Sequence, residues 1–197
     1  MVFACGFLAS VAFAFYLGEH PELRAATHQA ADPHMILEND ASATASLMQH
    51  FVTNDAAIDI LKKYEGLALD AYPEADYWLI GYGHKGAEVH EGMSISAQTA
   101  EKYLREDLRS REDFVRSVVL VPLNVNEFSA LVILSYNIGN GSFRNSTVLR
   151  LLNEGDRKGA ADAFVMWNKV KRKGELSQSA QLTSRREAER TLFLAHD

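Results

Sequence analysis

The chain has only one cysteine, Cys5, which excludes a disulfide bond within one molecule. Its seven histidines are scattered, and no Cys/His spacing is typical of a zinc site, so we expect no metal and no other cofactor. Prolines are few, four in 197 residues, and the sequence shows no internal repeat. These shortages favour one mainly helical domain, and a hydrophobic content of 47% is enough for a packed core.

A dense basic stripe is also lacking. The formal net charge is −6, and residues 1–100 carry 4 Lys/Arg against 13 Asp/Glu, whereas residues 141–197 carry 11 against 7. Nucleic acid is therefore not an expected partner. The basic C-terminal part favours an anionic partner, and an anionic polysaccharide fits this charge at least as well as nucleic acid does.

The apolar run at the N-terminus is short. Residues 2–17 are almost all apolar or small, but a bilayer span needs about 20 such residues, and the first Lys/Arg is Arg24. Ala12-Phe13-Ala14 resembles a small-x-small cleavage site. We interpret residues 1–18 as a signal or signal-anchor segment for export or membrane tethering. A buried N-terminal core helix is the alternative interpretation.

The next segment, residues 19–50, contains Pro21, Pro33, many alanines and several histidines without a sustained hydrophobic period. This composition predicts a linker. We expect residues 51–197 to form the compact domain.

The start of that domain predicts one helix and a small sheet. Thr53 or Asn54 can cap a helix that runs to Tyr64. Residues 67–72 and 77–82 are short, rich in aromatic residues and bounded by proline or glycine, so they predict two antiparallel strands.

The rest of the domain predicts helices. Ser94 or Ser96 begins one that ends near residue 109 or continues to residue 118. The sequence Asn124-Val-Asn-Glu127 has the form of a capping box, and the following residues 128–136 are apolar nearly all round, which predicts a buried central helix. Further helices are predicted over residues 147–153 and 157–168, and from a cap at Thr183 or Ser184 to residue 194.

One carboxylate stands out in this arrangement. Lys63-Tyr64-Glu65-Gly66-Leu67 places Glu65 at a predicted helix end, shortly before the glycine-rich segment Ile80-Gly81-Tyr82-Gly83-His84. A general acid must be protonated near neutral pH, and an apolar cleft wall favours the protonated form. The candidates for such a wall are Tyr64, Leu67, Leu69 and Tyr72. Taken alone, Glu65 would be interpreted as an ordinary surface residue.

Six motifs across about residues 55–195 resemble the phage-type lysozymes, glycoside hydrolase family 24, in the order that this family shows. Besides the two segments around Glu65, they are Phe128-Ser-Ala-Leu-Val with Tyr136-Asn137-Ile138-Gly139, Thr147-Val-Leu-Arg-Leu-Leu-Asn-Glu-Gly-Asp156, Phe164 with Trp167-Asn168-Lys169, and Arg185-Arg186-Glu-Ala-Glu-Arg190. The resemblance implies a lysozyme-like α+β fold that is mainly helical, with a small antiparallel sheet near its start and a helical C-terminal lobe.

The resemblance also implies a muramidase that hydrolyses the β-1,4 bond between N-acetylmuramic acid and N-acetylglucosamine in peptidoglycan. Such enzymes use two carboxyl groups around an oxocarbenium-like transition state. Glu65 matches the family's general acid, and Glu74 stands nine residues later, where the family has Asp or Cys. The segment from Glu65 to His84 is about one residue shorter than is usual in the family, so Asp76 is the alternative. Leu79 stands where the family has a water-holding Thr, and Tyr77 is a candidate to supply the missing polar group.

Other family positions imply supporting roles. Either Arg185 or Arg186 is expected to reach back to Glu65, to orient it or to bind substrate. Asn137 can bind a sugar amide or cap its helix. Tyr82 and His84, in the glycine-rich segment, are expected to support the site, with His84 as a structural hydrogen-bonding partner rather than a metal ligand.

Three functions stay open at this stage. The first is an exported monomeric lysozyme, a phage endolysin or a bacterial cell-wall enzyme, in the periplasm or tethered to the inner membrane facing the periplasm through residues 2–17. The second is a degenerate peptidoglycan-binding or scaffolding module with little catalysis, suggested by Leu79. The third is a lytic transglycosylase, since such enzymes use a single Glu.

Overall fold

Helices surround one buried helix, and a two-stranded sheet lies near the start of the described domain. The computed structural model describes residues 50–172 and 175–196. Its helices are α1 (Asp55–Glu65), α2 (Ala97–Val118), α3 (Val125–Ile138), α4 (Asn140–Arg144), α5 (Thr147–Asn153), α6 (Arg157–Ala163), a 3₁₀ helix (Phe164–Trp167) and α7 (Ala180–Leu194). Its strands are β1 (Ala68–Glu74), β2 (Tyr77–Gly81), β3 (Lys169–Arg172) and β4 (Glu175–Gln178).

The predicted N-terminal segment, residues 1–18, lies outside the described residues, and so does all of the predicted linker except residue 50. Among the residues that the structure describes, no helix combines the length and the apolar character that crossing a membrane requires.

Helix α3 is the buried centre of the domain, as its apolar sequence predicts. Its residues Glu127–Ser135 are buried, and it packs against α1, α2 and α7. Its first turn is closed by the expected capping box: Glu127 N donates to Asn124 Oδ1 at 2.7 Å, and Asn124 N donates to Glu127 Oε2 at 3.0 Å. The helix therefore starts at a defined residue, and its far end at Ile138 presents Tyr136 and Asn137 toward α1 and α7.

Strands β1 and β2 form an antiparallel hairpin that agrees with the predicted strands to within two residues. The pair Glu74 and Tyr77 closes a two-residue turn in which Ala75 has φ +51°, a left-handed conformation that a non-glycine residue rarely adopts. On its other side β1 bonds to the chain at 93–95, where Ala71 N donates to Met93 O at 2.9 Å. The mainly helical α+β fold is confirmed.

The C-terminal lobe differs from the prediction in four places. A second antiparallel hairpin, β3–β4, stands where no strand was expected, and α4 adds a short helix. The helix predicted over residues 157–168 ends at Ala163 and continues only as a 3₁₀ turn. Helix α7 starts at Ala180, and its cap is Ser179 rather than Thr183 or Ser184.

Hydrogen bonds at the base of the β3–β4 hairpin explain the earlier start of α7. Ser179 N donates to Asn168 O at 2.8 Å, which closes the hairpin directly before the helix. Thr183, one of the expected caps, instead donates its hydroxyl to Ser179 O at 3.0 Å and accepts from Asn168 Nδ2 at 3.1 Å. These contacts join residues up to 15 positions apart, so local sequence patterns do not reveal them.

Candidate active site

Glu65 is the last residue of α1, and Gly66, with φ +77°, turns the chain away from the helix axis. Arg185 from α7 reaches this helix end: its Nη1 donates to Glu65 Oε1 at 2.8 Å. The Arg185 side chain is 3% exposed and that of Glu65 is 23% exposed. Arg185 thus makes the expected contact, and the Glu65 carboxylate is fixed from one side while still open to solvent.

Arg185 belongs to a chain of charged groups inside the protein. Its Nε donates to Glu189 Oε1 at 3.0 Å, and Nη1 of Arg186 lies 3.2 Å from Glu189 Oε2. Arg186, which is fully buried, also donates from Nη2 to Asn137 Oδ1 at 2.8 Å. Burial raises the pKa of Glu189, and the two guanidinium groups oppose that rise.

Sequence reasoning assigned no role to Glu189. Its spacing could have indicated one, because residues three and four apart on a helix face the same side, and Glu189 follows Arg186 by three and Arg185 by four. The sequence does not show that this side of α7 is buried.

Two tyrosine phenols lie close to Glu65. Burial raises the pKa of Tyr136 to about 12, and the carboxylates of Glu65 and Asp107 add to the effect. Burial also raises the pKa of Tyr72, with further contributions from Glu74 and Glu65. Tyr72 was expected in the cleft wall, whereas Tyr136 was not.

The aliphatic part of the expected wall is less enclosed. Leu67 is 45% exposed and Leu69 is 42% exposed. Tyr72, at 37% exposed, is only slightly more enclosed than these two leucines.

The two candidates for the second carboxylate lie on the β1–β2 hairpin, and both are exposed. Glu74 ends β1 two residues after Tyr72, so the two side chains project from the same face of the strand. Glu74 and Glu65 both contribute to the raised pKa of Tyr72, after burial, which is the main cause. Asp76 lies in the turn beyond.

Leu79 and Tyr77, the residues considered at the position of the water-holding Thr, both lie on β2. Leu79 pairs with Tyr72 across the hairpin and is half-buried. Tyr77 is exposed, and Lys85 Nζ lies 3.3 Å from the centre of its ring. The Tyr77 ring thus already contacts a cation on one face.

His84 joins the hairpin region to α2. Its ring is buried and lies 4.2 Å from the ring of Tyr103 in a stacked arrangement. Nδ1 is 3.0 Å from the Asp107 carboxylate, and Nε2 is 2.9 Å from Glu88 Oε1. Burial disfavours the charged ring, but the hydrogen bonds to Glu88 and Asp107 outweigh it and raise the pKa of His84.

Beside this cluster, Tyr82 is buried, and its carbonyl accepts a long hydrogen bond of 3.5 Å from the Tyr136 hydroxyl. Within the described ranges, no group of three or more His, Cys, Asp or Glu side chains is arranged to hold a metal ion.

Comparison with known proteins finds phage lysozymes and endolysins. The family model described as phage lysozyme matches residues 62–189. The chain is 42% identical over 144 residues to the endolysin of Bacillus phage B103, covering 72% of this chain and 53% of that protein. It is also 42% identical over 140 residues to the endolysin of Salmonella phage P22, covering 68% of this chain and 92% of that protein. The chain thus spans about half the length of the Bacillus phage protein.

Two further matches bear on localisation and fold. A protein of Enterobacteria phage P21, named a SAR-endolysin, is 32% identical over 131 residues, which is 66% of this chain and 77% of that protein. The solved muramidase domain of SpmX from Asticaccaulis excentricus superposes with a TM-score of 0.70 at 36% identity, covering 75% of this chain and all of that one.

Proposed function

The chain belongs to the phage lysozyme family, and on this premise we propose that it is a peptidoglycan hydrolase. The bond cleaved is the β-1,4 bond between N-acetylmuramic acid and N-acetylglucosamine, and Glu65 is the general acid that protonates the leaving oxygen. The observation that carries this proposal is the position of Glu65. It ends α1, is held by Arg185 at 2.8 Å and keeps 23% of its side chain exposed.

The surroundings of Glu65 support this role. A general acid needs one orientation and access to the scissile oxygen. The bond from Arg185 restricts the carboxyl group on one side, and the phenols of Tyr72 and Tyr136 bring aromatic surface next to it.

Glu74 is our choice for the second carboxyl group. It acts either as base on a water molecule or as electrostatic stabiliser of the oxocarbenium-like transition state. The choice is supported by the position of Glu74 at the end of β1, two residues after Tyr72, whose pKa is affected by both Glu74 and Glu65. Asp76 is the alternative, and it differs by one methylene of reach.

Substrate binding is assigned to the polar groups that adjoin Glu65. The Asn137 side chain is exposed, and Arg186 holds its oxygen, so the amide nitrogen remains available for a sugar acetamido carbonyl. Tyr82 and His84 support the cleft from the sheet side through contacts with Tyr136 and with Asp107.

Glu65→Gln tests the proposal, because it keeps the shape of the side chain and removes the acidic proton. We expect the release of reducing ends from purified sacculi to fall by about 10²- to 10⁴-fold. Glu154→Gln, at an exposed carboxylate on the surface at the end of α5, is the matched control and should retain wild-type activity.

Activity that survives in Glu65→Gln would contradict the assignment of the acid. Mass spectrometry of the products separates the alternatives. Free reducing ends indicate hydrolysis, anhydro ends indicate a lytic transglycosylase, and binding without any product indicates a scaffolding module.

We further propose that residues 1–18 direct export and that residues 51–197 act on the cell wall as a monomer in the periplasm, freely or tethered to the inner membrane. The apolar sequence 2–17 and the similarity to a SAR-endolysin support this proposal. Placing lysine at Leu8 and Val11 should leave the full chain in the cytoplasm after cell fractionation. Unchanged export of that variant would contradict the proposal.

A further inference from the structure

We propose that Glu189 is a positioning residue that fixes the relative positions of the general acid, Glu65, and the substrate-binding amide of Asn137. The inference rests on the proposed function, because it concerns how the Glu65 site is kept in order. Glu189 itself is fully buried on α7. It acts through Arg185 on Glu65 and through Arg186 on Asn137.

The first step is geometric: the carboxylate of Glu189 lies next to both Arg185 and Arg186. Glu189 Oε1 accepts from Arg185 Nε at 3.0 Å, and Oε2 lies 3.2 Å from Arg186 Nη1. The same two arginines contact the site with other nitrogens, Arg185 Nη1 on Glu65 and Arg186 Nη2 on Asn137, each at 2.8 Å. A guanidinium is planar and rigid, so fixing one of its edges fixes the direction of the others.

The second step is charge. Arg185 is 3% exposed and Arg186 is 0% exposed, and each would be very costly to bury without an anion. Glu65 can balance only one of them. Among the described residues, Glu189 is the carboxylate within ion-pair distance of Arg186. Glu189 therefore makes it possible to bury the second arginine beside Asn137.

The third step is why a neutral isostere cannot replace Glu189. A carboxylate offers an acceptor oxygen to each arginine, whereas a glutamine amide offers one oxygen and one N–H donor. In Glu189→Gln one arginine must face a donor, so at least one of its two contacts is lost or displaced. A displacement of about 1 Å near reacting groups can cost about 100-fold in rate.

The experiment compares kcat and KM for the full chain acting on soluble peptidoglycan fragments. Glu189→Gln should lower kcat by about 10- to 100-fold through Arg185 and Glu65, and raise KM severalfold through Arg186 and Asn137. Asn137→Ala should raise KM with little change in kcat. In the double variant the KM effect of Glu189→Gln should disappear, while its kcat effect should persist.

Glu127→Gln is the matched control. Glu127 is also buried, and its two oxygens accept hydrogen bonds from Arg157 Nε at 2.9 Å and from Asn124 N at 3.0 Å. It lies at the opposite end of α3 from Asn137, so its substitution should affect stability but not kcat or KM per folded molecule. If both Gln variants change kcat and KM equally, the role of Glu189 is merely structural and the proposal is wrong.

Two additions keep the test decisive. Glu189→Asp keeps the charge but has a shorter reach, and it is used if the Gln variant does not fold. It should impair either kcat or KM but not both.

Side-chain NMR signals of Asn137 and of the Arg185 Nε–H are recorded without substrate. If Glu189→Gln shifts both signals in a protein that has no hydrolytic activity, the positioning role stands and the proposed function fails. If neither signal moves in a folded variant, the positioning role fails.

Discussion

Glu65 and Glu74, the two proposed catalytic carboxylates, are held by very different parts of the molecule. Glu65 ends a helix and bonds to Arg185, which is held in turn by the buried Glu189 on α7. Glu74 ends a strand next to a two-residue turn and is exposed. The orientation of Glu65 is thus determined by helix packing and buried charge. The orientation of Glu74 depends instead on the local geometry of the β1–β2 hairpin and on how this hairpin is attached to α2.

The largest expected effect concerns the choice between the two hairpin carboxylates. We expect Glu74→Gln to lower the rate of reducing-end release by about 100-fold, within the usual range for a group that assists acid–base chemistry. Asp76→Asn, two positions further in the same turn, should change the rate by less than about threefold. The reverse order would assign the second carboxyl group to Asp76, and two small effects would mean that Glu65 works without a hairpin carboxylate.

The sequence predicted the parts of the fold that depend on local patterns. The capping box at Asn124, the apolar character of α3 and the cap at Asn54 were recognised because each is encoded within a few residues. The β3–β4 hairpin was missed because its strands have only four residues each, are mostly polar and are exposed on almost every described residue, so they show no clear hydrophobic alternation.

The candidate site could also be predicted only in part from the sequence. Motif order identified Glu65 and narrowed its long-range partner to Arg185 or Arg186, 120 residues or more along the chain. The structure selects Arg185. The contribution of Glu189 and Tyr136 could not be predicted in the same way. It depends on which helix faces are buried against one another, and one sequence does not contain that information.

A smaller effect is expected at the attachment of the hairpin. His84 follows β2 and bonds to Asp107 of α2 and to Glu88, which raises its pKa. A raised pKa in the folded state means that the charged ring stabilises the protein fully below the unfolded value of about 6.5 and loses this contribution as pH rises through the folded value. The groups that face the ring are Asp107 and Glu88, with Tyr103 stacked on it.

His84→Gln should therefore lower the free energy of unfolding by about 1–2 kcal/mol more at pH 6 than at pH 9, the usual range for hydrogen bonds to a charged group. Urea denaturation of both proteins at the two pH values measures the difference. Burial also raises the pKa of Asp107, so pH values below 6 are avoided. His90→Gln, at an exposed ring that bonds only to the carbonyl of Glu91, is the control. An equal loss at both pH values would mean that His84 acts through packing alone.

The smallest expected effect lies in the turn that carries Glu74. Ala75 has φ +51°, where an L-residue with a Cβ is disfavoured by about 1–2 kcal/mol, and glycine is not. Glycine also gives the unfolded chain more freedom, which offsets about 0.4–1 kcal/mol of that gain. Ala75→Gly should thus stabilise the protein by about 0.5 kcal/mol in urea denaturation. Ala71→Gly, in the preceding strand β1 and without a positive φ, should instead destabilise it. If the Ala75→Gly variant is more stable but less active, the strained turn orients Glu74. The exposed hairpin would then contribute to activity through its backbone conformation.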